Sequence, residues 1–237
     1  MRYTINIVLS TLLIILNCGK KEIPVIKLSS SNWNEINHYR VLLDTANVGS
    51  YYLIYKSISE PESVIELQSI TEIKQANAIS RDSTVLLLKQ KNLKPISSTK
   101  ALFTSGMIIT SEIKYHGNKA SIKAHLPQGD RSIDIPVNIN TYDNDQVTSI
   151  LRAIDLKPDD EKEINVVIGL SGTTVPLKIK LIGEDKVQVP AGEFDCNKYT
   201  LSVVGRNIDV WYEKSTAKRM VKYLDPQAQM IMELLPQ

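Results

Sequence analysis

The fold is indicated most clearly by residues 107–126, MIITSEIKYHGNKASIKAHL. In the first half of this stretch, Ile109, Ile113 and Tyr115 alternate with polar neighbours, which is the two-residue period of a strand with one buried face. The central His-Gly-Asn supplies residues that tolerate the positive φ of a tight turn. The stretch therefore predicts an antiparallel β-hairpin.

The same signals continue on both sides of this hairpin. Short runs rich in aromatic, β-branched and aliphatic residues are separated by Gly, Pro, Asn and Asp, as in a chain of strands joined by tight turns. The predicted strands are residues 51–55, 64–67, 85–88, 132–138, 164–170, 173–182, 187–194, 197–204, 208–213, 220–224 and 230–235. We expect a turn at residues 183–185. We also expect a bulge or sheet corner near residues 195–198, where the alternation changes phase.

One segment has a helical period instead. Apolar residues after Asp143 fall at i, i+3, i+4 and i+7: Val147, Ile150, Leu151 and Ile154. This spacing places all four on one face of a helix, and Asp143 or Asn144 can cap its first amides. We therefore predict a mainly β fold, with a curved antiparallel sheet in the form of a half-barrel or β-sandwich and one packed amphipathic helix over residues 145–156.

The N-terminal residues differ from the rest of the chain. Residues 1–17 contain Arg2 and then an apolar run that is too short to span a bilayer but has the length of a signal-peptide core. Residues 15–18, ILNC, resemble the lipobox of bacterial lipoproteins, in which the cysteine is acylated and the bond before it is cut. The usual small residue before the cysteine is replaced by Asn17, as in the looser lipoboxes of some diderm bacteria. The alternative is a conventional secretory signal.

These features predict three parts: a lipoprotein signal peptide over residues 1–17, a tether over residues 18–31, and a single β-rich periplasmic domain over residues 32–237. The predicted lipidation site is Cys18, and the membrane is the predicted partner through that anchor. Lipidation leaves Cys196 without an intrachain partner, so we expect it to be buried or paired between chains. Gly19 is not the Asp that retains some lipoproteins at the inner membrane, which favours the outer membrane.

Composition and motif spacing argue against several functions. The formal net charge is +2, which gives no electrostatic case for nucleic acid. The three histidines, His38, His116 and His125, are far apart and lack a second ligand type at metal spacing. The sequence at 169–172, GLSG, lacks the spacing of a nucleophile elbow. We predict no catalytic residue, no metal, no cofactor and no enzymatic activity.

Residues 189–199, VPAGEFDCNKY, are followed by VWYE at 210–213 and VKY at 221–223. This series resembles the C-terminal part of a periplasmic family, domain of unknown function 3108, in which a P-A-G-x-F hairpin precedes a strand ending in Trp. Weaker likeness extends upstream to residues 93–98 and to the helix with its Leu151-Arg152 pair. The resemblance implies a curved sheet with a packed helix, similar in shape to the half-barrel lipoprotein carriers of the bacterial envelope.

Two functions remain open. In the first, an envelope lipoprotein binds a lipid or other hydrophobic ligand in a groove of the curved sheet, with ligand-binding residues unknown. In the second, a structural or interaction lipoprotein holds an envelope protein at the membrane and binds no small molecule. The first requires a cavity above about 300 Å³, and the second requires an exposed apolar patch.

Overall fold

The computed structural model describes residues 33–58, 63–75 and 78–237. The predicted signal peptide, the tether and Cys18 lie outside these residues. The strands are β1 Glu35–Leu43, β2 Ala46–Ile58, β3 Val64–Gln75, β4 Ala78–Lys89, β5 Pro95–Thr104, β6 Met107–His116, β7 Lys119–Leu126, β8 Gly129–Pro136, β9 Thr141–Asp143, β10 Glu161–Ile168, β11 Thr173–Val189, β12 Gly192–Val203, β13 Arg206–Glu213, β14 Met220–Asp225 and β15 Met230–Leu234. Within the described residues the only α-helix, α1, is Val147–Ala153, and it follows a 3-10 turn, Asn144–Gln146.

All fifteen strands form one sheet in the order β8-β7-β6-β5-β4-β3-β2-β1-β15-β14-β13-β12-β11-β10-β9. Neighbouring strands are antiparallel, except that β9 runs parallel to β10. The order follows the chain as two meanders, which meet where β1 pairs with β15. The end of the sheet at which β1 begins, called the base here, therefore also holds the β4–β5 and β6–β7 turns and the C-terminus.

The sheet curls until its first meander faces its second. Ile113, Ile122 and Ile135, from β6, β7 and β8, form an apolar cluster with Val167 of β10. On the β8 edge, Arg131 donates a hydrogen bond of 2.6 Å to the Ser171 carbonyl oxygen in the β10–β11 turn. The two edge strands are not hydrogen-bonded to each other, so side-chain packing closes the curved sheet where backbone pairing stops.

The helix lies inside the curve. Its predicted apolar residues are buried, as are Tyr39, Leu53 and Leu67 on the facing strands. Asp143 caps the preceding turn, because its carboxylate accepts from the Asp145 amide at 3.0 Å while the Gln146 side chain accepts from the Asp143 amide at 3.1 Å. Burying one helix stripe against the alternating inward positions of the strands produces a continuous core.

The fold class predicted from the sequence is confirmed, with three differences in detail. The helix ends at Ala153, because Ile154 has an extended backbone with ψ of 134°. The predicted turn at residues 183–185 is instead a continuation of β11. There Leu181 and Gly183 pair with consecutive residues of β12, which leaves Ile182 as the extra residue of a β-bulge. The irregularity expected on β12 thus lies on its partner strand.

Candidate functional site

The concave side of the sheet is occupied by α1 and the turn before it. The Tyr55 and Ser149 hydroxyls are 3.1 Å apart, and the Tyr212 hydroxyl donates to the Thr148 carbonyl oxygen at 2.7 Å. The Gln146 side-chain amide donates to the Leu93 carbonyl oxygen at 2.7 Å. These contacts fix the helix to strands of both meanders and to the β4–β5 turn, so the helix fills the interior of the curve.

A charged cluster lies where the helix begins. The Lys100 ammonium is 2.8 Å from the Asp82 carboxylate and 3.1 Å from that of Asp145. Burial alone would lower the pKa of Lys100, but the carboxylates of Asp145 and Asp82 outweigh it and raise the pKa. Lys100 therefore stays protonated and holds β4 and β5 to the start of the helix.

Next to this cluster, Asp143 is buried beneath β6. The Tyr115 hydroxyl donates to its carboxylate at 2.7 Å. Burial, together with the neighbouring Asp145 carboxylate, raises the pKa of Asp143 to about 7. Asp143 meets no cation within ion-pair distance among the described residues, so no positive charge offsets the rise in its pKa.

The cavity on the concave side of the sheet is small. A cavity of about 160 Å³ remains beside the helix, with Tyr51, Thr71, Asp82, Lys100 and Tyr223 among its lining residues. Known sites for small molecules enclose about 300–1,000 Å³ and are mostly apolar. The concave side as it stands therefore offers little room for a hydrophobic ligand.

A larger cleft, called the basal cleft here, lies at the base of the sheet and measures about 690 Å³. It is formed by the β4–β5 turn, the start of β5, the β6–β7 turn and the β8–β9 connection. Its lining residues are Lys89, Asn92, Lys94, Pro95, Ile96, Tyr115, His116, Gly117, Asn118, Val137, Asn138, Ile139 and Thr141. The volume lies within the range of known small-molecule sites.

Local hydrogen bonds hold the turns around the basal cleft. In the β4–β5 turn, Leu93 has a φ of +52°, and its amide donates to the Lys89 carbonyl oxygen at 2.8 Å. In the β8–β9 connection, the Asn138 side chain accepts from the Asn140 amide at 2.8 Å. The Val137 amide donates to the Asn118 carbonyl oxygen at 2.8 Å, which joins this connection to the β6–β7 turn. The cleft thus has defined walls.

Lys94 is the cation held most tightly in the basal cleft. Its ammonium donates to the Thr141 carbonyl oxygen at 3.0 Å and lies 3.6 Å from the centre of the Tyr142 ring. Burial lowers the pKa of Lys94 to about 8. The ammonium is therefore still mostly protonated at neutral pH, although part of its hydration shell is replaced by protein.

The candidate residues noted from the sequence lie in separate places. His38 stacks on Tyr52 with ring centres 4.2 Å apart, His116 lines the basal cleft, and the ring of His125 lies 2.7 Å from the Asp130 carboxylate. Among the described residues, no group of three or more His, Cys, Asp or Glu side chains is placed to hold a metal ion. Cys196 is buried and forms no disulfide within the described part of the chain.

Sequence reasoning did not identify Lys94 or Lys100 as a candidate site residue. Lys94 and Lys100 belong to a basic stretch that is typical of lysines placed to protect the edge of a sheet. In the structure, β4 and β5 are interior strands, Lys100 points inward and Lys94 enters the cleft. The available signal was the position of Lys94 directly before Pro95, at the start of a strand, but its contact with Thr141 could not be read from spacing.

The observed class is a curled antiparallel sheet, filled by one short helix and carrying a cleft at its base. Among the described residues, none of the helices is long and apolar enough to span a bilayer. Residues 36–232 match the model of the protein family of unknown function DUF3108. The chain belongs to that family, as the resemblance noted from residues 189–223 implied.

The chain was compared with solved structures. The β-barrel-like protein of the domain of unknown function DUF1849 from Brucella abortus aligns with a TM-score of 0.59 at 9% identity, covering 85% of this chain and 95% of that one. A Bacteroides fragilis protein described as exported and YmcC-like in fold aligns with a TM-score of 0.34 at 9% identity, covering 89% and 98%. Only the first value is high enough to show a common fold. No curated protein matches the chain.

Proposed function

We propose that this protein is a bacterial envelope lipoprotein, anchored through Cys18, that binds a lipid or other hydrophobic ligand in the basal cleft. The anchor places the domain on the periplasmic face, with the outer membrane favoured by Gly19. The observation that carries the ligand proposal is the basal cleft itself, whose volume of about 690 Å³ exceeds that of the cavity beside the helix. No catalytic residue or cofactor is part of the proposal.

The position of the cleft fits a membrane-anchored carrier. Trp33 and β1 begin at the base of the sheet, where the basal cleft also opens. The predicted tether of 14 residues, 18–31, spans at most about 50 Å when fully extended. An anchored chain therefore keeps the cleft within reach of the membrane surface that would supply or receive a ligand.

The anchor is tested by intact mass spectrometry of protein extracted from its native membrane. We expect a chain that begins at Cys18 and carries acyl mass, whereas the Cys18→Ala variant should carry none. A mature chain that begins elsewhere, or one without acyl mass, contradicts the anchor.

The ligand proposal is tested by titrating decanol into the purified protein and following binding by calorimetry. Ile139 lines the basal cleft and is 38% exposed, so Ile139→Asp adds a charge to the cleft at little cost to folding. We expect this change to weaken decanol binding at least about tenfold, because a carboxylate beside an apolar ligand loses hydration. Ile182→Asp, at an isoleucine of β11 that is 45% exposed and outside the cleft, is the matched control. If the wild type, Ile139→Asp and the control variant bind decanol equally, the ligand does not bind in the basal cleft. If the wild type does not bind decanol, the ligand proposal is contradicted.

One observation favours the interaction role instead. The β5–β6 hairpin, at the end of the sheet opposite the base, exposes Phe103, Met107 and Ile108, the last at 69%. Ile79 of β4 is 49% exposed close by. A photo-crosslinking residue at position 108 should then join the chain to one discrete envelope protein, while the same residue at position 36 should not. Similar patterns from both positions would contradict a protein partner at this hairpin.

A further inference from the structure

The basal cleft carries positive charge that no described carboxylate neutralises. Lys94 and Lys89 both line it, together with His116. No Asp or Glu is among its lining residues, and within the described residues neither lysine has a carboxylate within ion-pair distance. This differs from the interior, where the half-buried Lys100 has two carboxylate partners, Asp82 and Asp145.

The ammonium of Lys94 can donate a further hydrogen bond. A lysine has three N–H donors, and the contacts of Lys94 are one carbonyl oxygen, that of Thr141, and the face of the Tyr142 ring. The carbonyl and the ring fix its position without cancelling its charge. At least one donor is therefore available to a molecule in the cleft.

The remaining walls are apolar in part. Ile96 at the start of β5 and Val137 and Ile139 of the β8–β9 connection line the same cleft as Lys94. A purely apolar ligand would bury these side chains but would also remove water from the ammonium without replacing it, which is costly. A ligand with an anionic group replaces that water with a charge-assisted hydrogen bond.

We propose that the ligand of the basal cleft is an anionic amphiphile, with its carboxylate or phosphate on Lys94 and its apolar chain against Ile96, Val137 and Ile139. The inference rests on the proposed ligand-binding function and adds the chemical class of the ligand. The lowered pKa of Lys94 agrees with this proposal, because an ammonium that has lost part of its hydration is stabilised when an anion binds to it.

The test compares three probes by calorimetry: decanoate, decanol and acetate. We expect wild-type protein to bind decanoate at least about tenfold more tightly than decanol, since a hydrogen bond to a charged group stabilises by more than the 1.4 kcal/mol that corresponds to tenfold. Lys94→Met should abolish this preference and retain decanol binding, which also shows that the variant folds. Lys123→Met, which removes an exposed lysine of β7 outside the cleft, is the matched control and should keep the preference.

The outcomes separate the two proposals. If decanol binds and decanoate binds no more tightly, the anionic class is overturned while the hydrophobic site stands. If acetate binds as tightly as decanoate, the cleft is a simple anion site and the amphiphile is overturned. If neither ten-carbon probe binds, the proposed function itself fails. The comparison of probes on wild-type protein needs no variant, so a misfolded Lys94→Met chain would not prevent the test.

Discussion

The Arg152 guanidinium donates to the Glu35 carboxylate at 2.5 Å, although the two residues are 117 positions apart in the chain. Arg152 lies in the last turn of the helix and its side chain is 1% exposed, whereas Glu35 begins β1. The same guanidinium donates to the Ala217 carbonyl oxygen at 2.6 Å and lies over the Trp33 ring. One side chain thus joins the helix, the first strand and the β13–β14 connection.

Removing this cation should be costly. In Arg152→Met, the largely buried Glu35 carboxylate loses its cationic partner and keeps the Asn37 amide, so we expect the free energy of unfolding to fall by about 3–5 kcal/mol. Urea denaturation followed by circular dichroism measures the change. Lys178→Met breaks the exposed pair with Glu161, whose two side chains are 51% and 50% exposed, and should cost less than about 1 kcal/mol. Equal losses in the two variants would contradict the organising role of Arg152.

Gly49 should not tolerate a side chain. A Cβ at this position of β2 would overlap the Glu72 carbonyl oxygen on β3, and a backbone atom in a paired strand cannot move aside easily. We expect Gly49→Ala to lower the free energy of unfolding by about 1–3 kcal/mol. Ser50→Ala, the adjacent position, should change it by less than about 0.5 kcal/mol. A neutral Gly49→Ala in thermal denaturation would show that β2 and β3 can separate there without cost.

Asp143 should make stability depend on pH in an unusual direction for an acid. Its pKa is raised from 3.8 to about 7 in the folded state, so the folded protein holds a proton that the unfolded chain releases. Its contribution to stability is complete below pH 4 and is lost as the pH rises to 7, at no more than about 1.4 kcal/mol per pH unit.

We therefore expect Asp143→Asn to flatten the dependence of the unfolding free energy on pH between 4 and 7, measured by urea denaturation at several pH values. The amide can still accept from the Tyr115 hydroxyl, so the hydrogen bond is preserved. Asp155→Asn, at an exposed carboxylate that forms no ion pair among the described residues, should leave the slope unchanged. A slope that Asp143→Asn does not alter would show that Asp143 is ionised throughout this range.

Cys196 should be chemically inert in the folded protein. Burial, with a smaller contribution from the Glu213 carboxylate, raises the pKa of its thiol to about 12, and the thiolate is the form that alkylates. Iodoacetamide at pH 8 should therefore modify Cys196 only after denaturation, as followed by intact mass. Rapid modification of the native protein would contradict the burial of this thiol.

The sequence predicted the parts of the fold that depend on local patterns. Alternation in residues 107–126 located β6 and β7, and the helical spacing after Asp143 located α1, because each signal needs only neighbouring residues. At Gly183 the local turn preference was overridden, since residues on both sides of it pair with β12. The closure by Val167 against Ile113 depends on how far the sheet curls, which no local pattern records.

The candidate site could not be predicted from the sequence either, because it depends on contacts between distant parts of the chain. The basal cleft combines Lys94, Tyr115 and Ile139 from three separate connections or strand ends. Each has an ordinary local explanation: a turn lysine, a strand tyrosine and a loop isoleucine. Their proximity follows from the order of the strands and from the hydrogen bond between Val137 and Asn118, neither of which could be derived from spacing.

The pairing of β1 with β15 has a consequence for the newly made chain. Leu43 pairs with Met230 and Tyr39 with Leu234, so the middle of the sheet is assembled from the first and last of the described strands. Until the C-terminus arrives, the long strand β1 presents an unpaired edge of the kind that promotes aggregation. A truncation that removes only β15 should therefore leave two half-sheets with unpaired, aggregation-prone edges at β1 and β14. In the growing chain, the edge of β1 stays unpaired until β15 has been made.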